Sequence, residues 1–165
     1  MDPQRRPAWS PFFNAECAVA AHSRPTLGIR VAALARSVAS LRIIGDGVVP
    51  EEISSLLGAE PTKAHRKGEL ILASGRTTKI GIWRLEAAPT EPENLDAQVA
   101  EILGKLTQNL DIWKSLSAGF RVNVFCGLFM NESNEGVELS PATLLALGER
   151  GIHLDLDIYA WRADV

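Results

Sequence analysis

Apolar and polar residues alternate where the regular part of the chain begins. Ala39, Leu41 and Ile43 are apolar, and Ser40 and Arg42 stand between them. Because side chains two residues apart on a strand share a face, this alternation predicts a strand with one buried side and one solvated side. Arg42 is therefore expected on the solvated side of a sheet.

Three later segments have the spacing of helices. Pro50 suits a first helical turn, and Gly58 suits a left-handed cap. Between them, Ile53, Leu56 and Leu57 fall on one helical face. The second predicted helix begins at a cap, Asn94 or Asp96, and its apolar positions are Val99, Ile102, Leu103 and Leu106; it continues or restarts toward Leu116. The third begins at the cap Ser140 and runs from Pro141 to Gly151.

Four further segments have the apolar or alternating pattern of strands. They cover residues 69–73, 79–86, 122–130 and 152–159. With the helices, the predicted order is β-α-β-β-α-β-α-β, and its first six elements match the ferredoxin-like, or split βαβ, arrangement. We therefore predict an α+β fold with an antiparallel sheet, helices on one face, and an appended C-terminal helix and strand. The other face of such a sheet is left open.

Three separated motifs resemble those of a known family. The first is GD-x-x-x-PEEIS-x-LLG-x-x-PT followed by RKGE, over residues 45–69; the second is G-x-W-x-L, over residues 81–85; the third is LDLDIY, over residues 154–159. Together they resemble the bacterial domain-of-unknown-function family 4279 over about residues 38–160. The resemblance implies a small intracellular α+β domain without an assigned activity, so it provides no catalytic residues. His65 stands where the basic loop of that family usually has an aromatic residue, most often Trp.

The composition indicates a single domain inside a cell. The chain has 165 residues, of which 46% are hydrophobic, enough for a sizeable core. Its apolar runs are too short to span a membrane, and its N-terminus lacks the apolar region of a secretory signal. Cys17 and Cys126 lack the spacing of a disulfide framework or a zinc site, which favours a cytoplasmic location.

The charge is divided unevenly along the chain. Residues 1–37 hold five basic and two acidic residues, whereas the whole chain carries a net charge of -3. We expect residues 1–37 to form a basic, poorly ordered extension and residues 38–165 to form one domain. Alternative explanations of the extension are an amphipathic segment around residues 27–38, a transit peptide, and a start placed too early. The acidic body argues against nucleic-acid binding.

Two polar surfaces are candidates for binding. The first is the open side of the sheet, to which the alternation assigns the following residues: Arg42, Arg84, Arg121, Asn123, His153, Asp155, Asp157 and Tyr159. The second is a basic loop, formed by Lys63, His65, Arg66 and Lys67 and joined by Arg76 and Lys79. Concentrated positive charge on an acidic body suits a phosphate or an acidic partner. The simpler interpretation of both surfaces is a solvated exterior with weak ion pairs.

Two weaker patterns concern metals. His153, Asp155 and Asp157 are suitable ligand types, but strand residues two positions apart are separated by ~7 Å, so a metal would need ligands from other strands. Asp46 stands where ferredoxin-like cyclases and polymerases hold Mg²⁺, but its Gly-Asp-Gly context is that of an ordinary turn. The sequence has neither a glycine-rich phosphate loop nor a nucleophile elbow. We therefore predict no metal and no cofactor.

These observations favour a binding module over an enzyme. The leading hypothesis is a cytoplasmic bacterial protein that recognises another protein through the acidic open sheet face and residues 63–67, as an immunity-type or accessory protein does. One alternative is a metal- or phosphate-dependent enzyme built on Asp46, Asp155 and Asp157. The other is a small-ligand-binding domain that uses the open face of the sheet.

Overall fold

Residues 33–71 and 75–160 are described by the computed structural model, and they form four helices and seven strands. In chain order these are β1 (Arg36–Gly45), α1 (Pro50–Leu57), β2 (Lys63–His65), β3 (Leu70–Ile71), β4 (Arg76–Thr77), β5 (Gly81–Glu86), α2 (Leu95–Gly104), α3 (Leu110–Gly119), β6 (Arg121–Phe129), α4 (Pro141–Glu149) and β7 (His153–Tyr159). The predicted α+β class is confirmed. Most of the predicted extension, residues 1–32 with Cys17, lies outside the described residues, and β1 begins slightly before the predicted domain boundary.

β1 lies at the centre of a five-stranded sheet with the order β2-β5-β1-β6-β7. It pairs antiparallel with β5 and β6, and β2 pairs antiparallel with β5. β7 runs parallel to β6, so the sheet is mixed and the prediction of a fully antiparallel sheet is wrong at its last strand. The reason is α4, which returns the chain along the sheet before β7 begins, as a parallel connection requires.

The predicted strand at residues 69–73 is a second correction. Its apolar residues Leu70 and Ile71 are exposed and form β3, which pairs with β4 in a small separate hairpin. The position beside β5 belongs instead to β2, which lies in the segment predicted to be a basic loop. A three-residue strand of sequence Lys-Ala-His has too little apolar pattern to be recognised in advance.

The buried side of β1 agrees with the alternation in its sequence. Ala39, Leu41 and Ile43 are buried, and residues from all four helices pack with them into one core. Trp83 and Trp113 are the largest members of this core, and both are fully buried. The helices therefore cover one side of the sheet. We call the opposite side the open face.

The helix ends follow from local chemistry. Gly58 has a φ of 78° and ends α1, as a left-handed cap requires. Asn94 and Ser140 cap α2 and α4 with their side-chain oxygens. Asn109 caps α3 in the same way, so the helical pattern after Asn94 restarts rather than continues.

A buried hydrogen-bond network fastens α2 to β1. The Gln98 side chain is 1% exposed. Its amide nitrogen donates to the carbonyl oxygens of Ser37 and Ala88, at 3.2 and 2.7 Å, and its amide oxygen accepts from the Ser37 hydroxyl at 2.7 Å. Removing the amide would leave the Ala88 carbonyl without its partner and would take one hydrogen bond from each Ser37 group, although Thr90 also bonds both of these.

We expect Gln98→Met to lower the free energy of unfolding by about 1–3 kcal/mol, because methionine keeps the volume of the side chain but forms none of these hydrogen bonds. Urea denaturation measures the change. Ala100→Met, at an exposed position of the same helix, is the control and should stay within about 0.5 kcal/mol of the parent. Equal effects of the two substitutions would contradict this role of Gln98.

Candidate functional site: the open face and the edge of the sheet

Strand register brings three basic residues into one row across the open face. Arg42 on β1 lies directly opposite Arg84 on β5, and Arg84 lies directly opposite Lys63 on β2. Directly opposed residues share a face of the sheet, so the three side chains leave the sheet on the same side. We call Lys63, Arg84 and Arg42 the cation row.

Arg42 has the most unusual surroundings in this row. Its guanidinium carbon lies 3.8 Å from the centre of the Phe125 ring. Arg84 has an ion pair with Glu86 at 2.9 Å, whereas Arg42 has no ion pair among the described residues. Burial, and then the positive charge of Arg84, lower the pKa of Arg42 below its ordinary value. Arginine stays protonated under such conditions, so Arg42 holds a positive charge that is crowded by Arg84 and lacks a direct ion pair among the described residues.

Unsatisfied polar atoms collect around Arg42. Within residues 33–71 and 75–160, buried atoms without a hydrogen-bond partner include the Nε atoms of Arg42 and Arg84, the hydroxyl of Ser40 and the amide oxygen of Asn123. Ser40 and Asn123 are 2% and 1% exposed. Ser40 precedes Arg42 by two residues, and Asn123 lies opposite it. Buried polar groups are nearly always paired, so such a cluster is exceptional.

The acidic residues of β7 have partners of their own. Asp155 accepts hydrogen bonds from the amide nitrogen of Asn123, at 2.6 Å, and from Arg121, at 3.0 Å. Asp157 accepts from the hydroxyl of Tyr159 at 2.7 Å, and this bond raises the pKa of Tyr159. These contacts place Arg121, Asn123 and Asp155 together, as the alternation predicts.

An aromatic pair lies at the end of the same face. The Tyr159 ring stacks on the Phe129 ring with 4.7 Å between centroids. The guanidinium carbon of Arg36 lies 4.1 Å from the centre of the Phe129 ring. Arg36, Phe129 and Tyr159 are in register across β1, β6 and β7. The open face thus combines basic and aromatic side chains with an acidic margin.

β7 is the last strand of the sheet as far as the structure describes the chain. The carbonyl of Tyr159 accepts from the amide of Met130, so it points toward β6. Peptide groups alternate in direction along a strand, so the backbone groups of Leu154, Leu156 and Ile158 point away from the sheet. Leu156 and Ile158 are also 43% and 60% exposed. We call this outward side of β7 the β7 edge.

The predicted basic loop is not a single cluster. Lys63 joins the cation row, and His65 lies on the open face opposite Ile82. Arg66 bonds Glu51 at 2.7 Å, and Lys67 pairs with Asp46. The backbone amide of Glu51 and then Arg66 lower the pKa of Glu51. Two of the four predicted residues are therefore neutralised by neighbouring carboxylates.

The residues proposed as metal ligands do not converge. No group of three or more His, Cys, Asp or Glu side chains suited to a metal occurs in the described parts of the chain. Asp46 pairs with Lys67, whereas His153 is exposed at the start of β7. Cys126 is buried in the core, and burial raises its pKa to about 12, so its thiol is poorly suited to act as a nucleophile.

Two residues of the open face were missed at the level of sequence. The alternation in β1 predicts that Ser40 lies on the same face as Arg42. Nothing in the sequence indicates that its hydroxyl is buried and has no hydrogen-bond partner among the described residues. Phe125 lies in the most apolar strand and resembles a core residue. Its contact with Arg42 depends on the register between β1 and β6, which one sequence does not specify.

Comparison with known proteins gives a family match. The family described as Domain of unknown function (DUF4279) has a sequence model that matches residues 35–161. No curated protein matches the chain, and no solved structure matches it. None of the described helices has the length and apolar content needed to cross a membrane. Because the match covers most of the chain and agrees with the three motifs, the chain belongs to the DUF4279 family of domains of unknown function.

Proposed function

We propose that this domain is a protein-binding module that pairs the β7 edge with an extended segment of a partner protein. The single observation that carries the proposal is the outward-facing backbone of Leu154, Leu156 and Ile158, next to exposed apolar side chains. Addition of a strand to an exposed sheet edge is a common mode of protein recognition, because it satisfies free N–H and C=O groups.

The composition of the edge supports this role. Soluble proteins usually protect edge strands with lysine, proline, a bulge or a covering element. β7 has the sequence His-Leu-Asp-Leu-Asp-Ile-Tyr, without lysine or proline, and pairs with β6 without interruption over seven residues. α4, which packs on β7, exposes Leu144 and Leu145. Within the described residues, this apolar surface lies beside an edge whose protecting charges are those of Asp155 and Asp157, and exposed apolar patches of this kind are typical of interaction sites.

The two sides of β7 specify the chemistry of the partner. Leu156 and Ile158 project toward the helix side, and Asp155 and Asp157 project toward the open face. A complementary strand therefore alternates apolar and basic residues. A second copy of the chain is a poor partner for this edge. If the β7 strands of two copies paired antiparallel with their helices on the same side, the aspartates of one β7 would lie opposite those of the other, and like charges opposite each other destabilise a sheet.

A basic partner agrees with the acidic character of residues 38–165. An immunity-type or accessory protein that holds a basic partner has this kind of surface, and opposite charges accelerate such an association. The buried, free thiol of Cys126 is compatible with a cytoplasmic setting. The antiparallel strand order β2-β5-β1-β6 supports the ferredoxin-like arrangement for the first part of the domain.

We expect a seven-residue peptide of alternating lysine and valine to slow hydrogen exchange at the amides of Leu156 and Ile158. These amides point outward in the free protein, whereas those of Asp155 and Asp157 already bond to β6, so only the first pair gains partners. Exchange measured residue by residue by NMR gives the result. Leu156→Pro should abolish the protection, because it removes one outward donor. Leu70→Pro, in the distant β3–β4 hairpin, is the control.

Unchanged exchange at all these amides would contradict the proposal. A dimer in sedimentation experiments, together with loss of peptide binding at the concentrations where it forms, would also contradict the proposal. The partner of the β7 edge would then be a second copy of the chain.

We expect Asp157→Lys to reverse the charge preference of the edge. The parent should bind the lysine–valine peptide more tightly than a matched glutamate–valine peptide, and the variant should prefer the second. Each cross-strand charge pair is expected to change the affinity by up to about fivefold. Fluorescence anisotropy measures both affinities. Asp111→Lys, an exposed position on α3, makes the same change of net charge and should leave the preference unaltered; an equal effect would indicate nonspecific electrostatics.

A further inference from the structure

The cation row opposes like charges at adjacent positions. Neighbouring strands lie ~4.8 Å apart, so the row from Lys63 through Arg84 to Arg42 spans roughly 10 Å. Like charges directly opposite each other destabilise a sheet. A protein that keeps such an arrangement loses stability unless another group compensates the charge, and local violations of this kind occur at functional sites.

The charge of the row is only partly compensated within the chain. Glu86 pairs with Arg84, and in the described residues neither Lys63 nor Arg42 has an ion pair. The nearest acidic residue on the other side, Asp155, is engaged by Arg121 and Asn123. Three positive charges therefore face one carboxylate, which leaves an excess of two positive charges at the centre of the open face.

The two guanidinium groups of the row have contacts within the protein before any ligand binds. The Arg42 guanidinium lies over the Phe125 ring, and that of Arg84 pairs with Glu86, so both are restrained by a neighbour. A restrained guanidinium loses little rotational freedom when it forms two parallel hydrogen bonds to an oxyanion. The Ser40 hydroxyl near them is also without a partner among the described residues, but at 2% exposure it is shielded from a ligand.

We propose that the cation row binds a phosphate monoester group. Such a group carries close to two negative charges at neutral pH and presents three acceptor oxygens. It therefore matches the charge excess and offers acceptors to both guanidinium groups, whereas a single carboxylate supplies one charge and two oxygens. The side chains remain reachable, since that of Arg84 is 36% exposed and Lys63 is exposed. This site lies on the open face and is independent of strand pairing at the β7 edge.

Three probes test binding and distinguish the source of the group. They are inorganic phosphate, ribose 5-phosphate and a short peptide that contains phosphoserine. We expect saturable binding of at least one, with the NMR signals of the Arg42 and Arg84 Nε–H groups shifting as it binds. The probe that binds most tightly identifies the natural ligand class: inorganic phosphate indicates a free ion, ribose 5-phosphate a small molecule, and the phosphoserine peptide a phosphorylated protein. Succinate, which carries two carboxylates, serves as the competitor.

Substitutions separate a binding role from a packing role. Arg42→Met should weaken the best probe at least tenfold and should raise the melting temperature without phosphate, because it removes opposed charges but keeps contact with Phe125. Lys63→Met should weaken binding less. Lys114→Met is the matched control, because it removes one positive charge at an exposed position of α3, away from the open face; it should leave the Nε–H shifts of Arg42 and Arg84 intact.

Several results would overturn the proposal. One is a change in the Nε–H signals that does not saturate with probe concentration. Another is binding of succinate as tight as binding of the tightest phosphate probe. A third is phosphate affinity that is unchanged in Arg42→Met. A lower melting temperature of Arg42→Met together with unaltered phosphate affinity would assign Arg42 to packing alone.

Discussion

The two-sided pairing of β1 is the constraint on which the rest of the structure depends. β1 is bonded along both edges, and its buried side supplies Ala39, Leu41 and Ile43 to the core. A shift of register by one residue would exchange the two sides and bury Arg42. The cost of that exchange fixes the register, and the register in turn determines which charges meet on the open face. The arrangement of Arg42, Arg84 and Asn123 is thus a consequence of core packing in the opposite layer.

The residues that identify the family mostly serve the scaffold. A side-chain carbon at Gly45 would lie 2.8 Å from the Phe120 ring, and one at Gly81 would lie 2.8 Å from the carbonyl oxygen of Gly45. The absent side chain at Gly81 lets the backbone of Gly45 approach β5, and the absent side chain at Gly45 leaves room for the Phe120 ring. Trp83 is fully buried and donates its indole N–H to Ser54 on α1 at 3.1 Å. A motif of this kind identifies a fold more readily than a chemistry, which explains how a clear family match coexists with an unassigned function.

Local pattern was sufficient for much of the fold. The helices after Pro50, Asn94 and Ser140 were predictable because capping and apolar spacing are local properties. β2 was not, because a short polar strand is defined by the neighbour with which it pairs. The candidate site was also predictable only in part. Alternation predicts which residues share the open face. The pairing of Arg42 opposite Arg84 and the unpaired hydroxyl of Ser40 arise from contacts between distant segments. Such contacts carry no signature in a single sequence.

The central position of β1 also has a kinetic consequence. Its partner β6 follows roughly 80 residues later, so the middle of the sheet closes only after most of the chain has been synthesised. Until then, the edge of β1 that will meet β6 is free to pair with other chains. Pairing at such long sequence separation is entropically costly and slow, and the domain is therefore expected to fold more slowly than a helical protein of the same length. The step that organises the open face is then also the step during which the nascent chain is most exposed to aggregation.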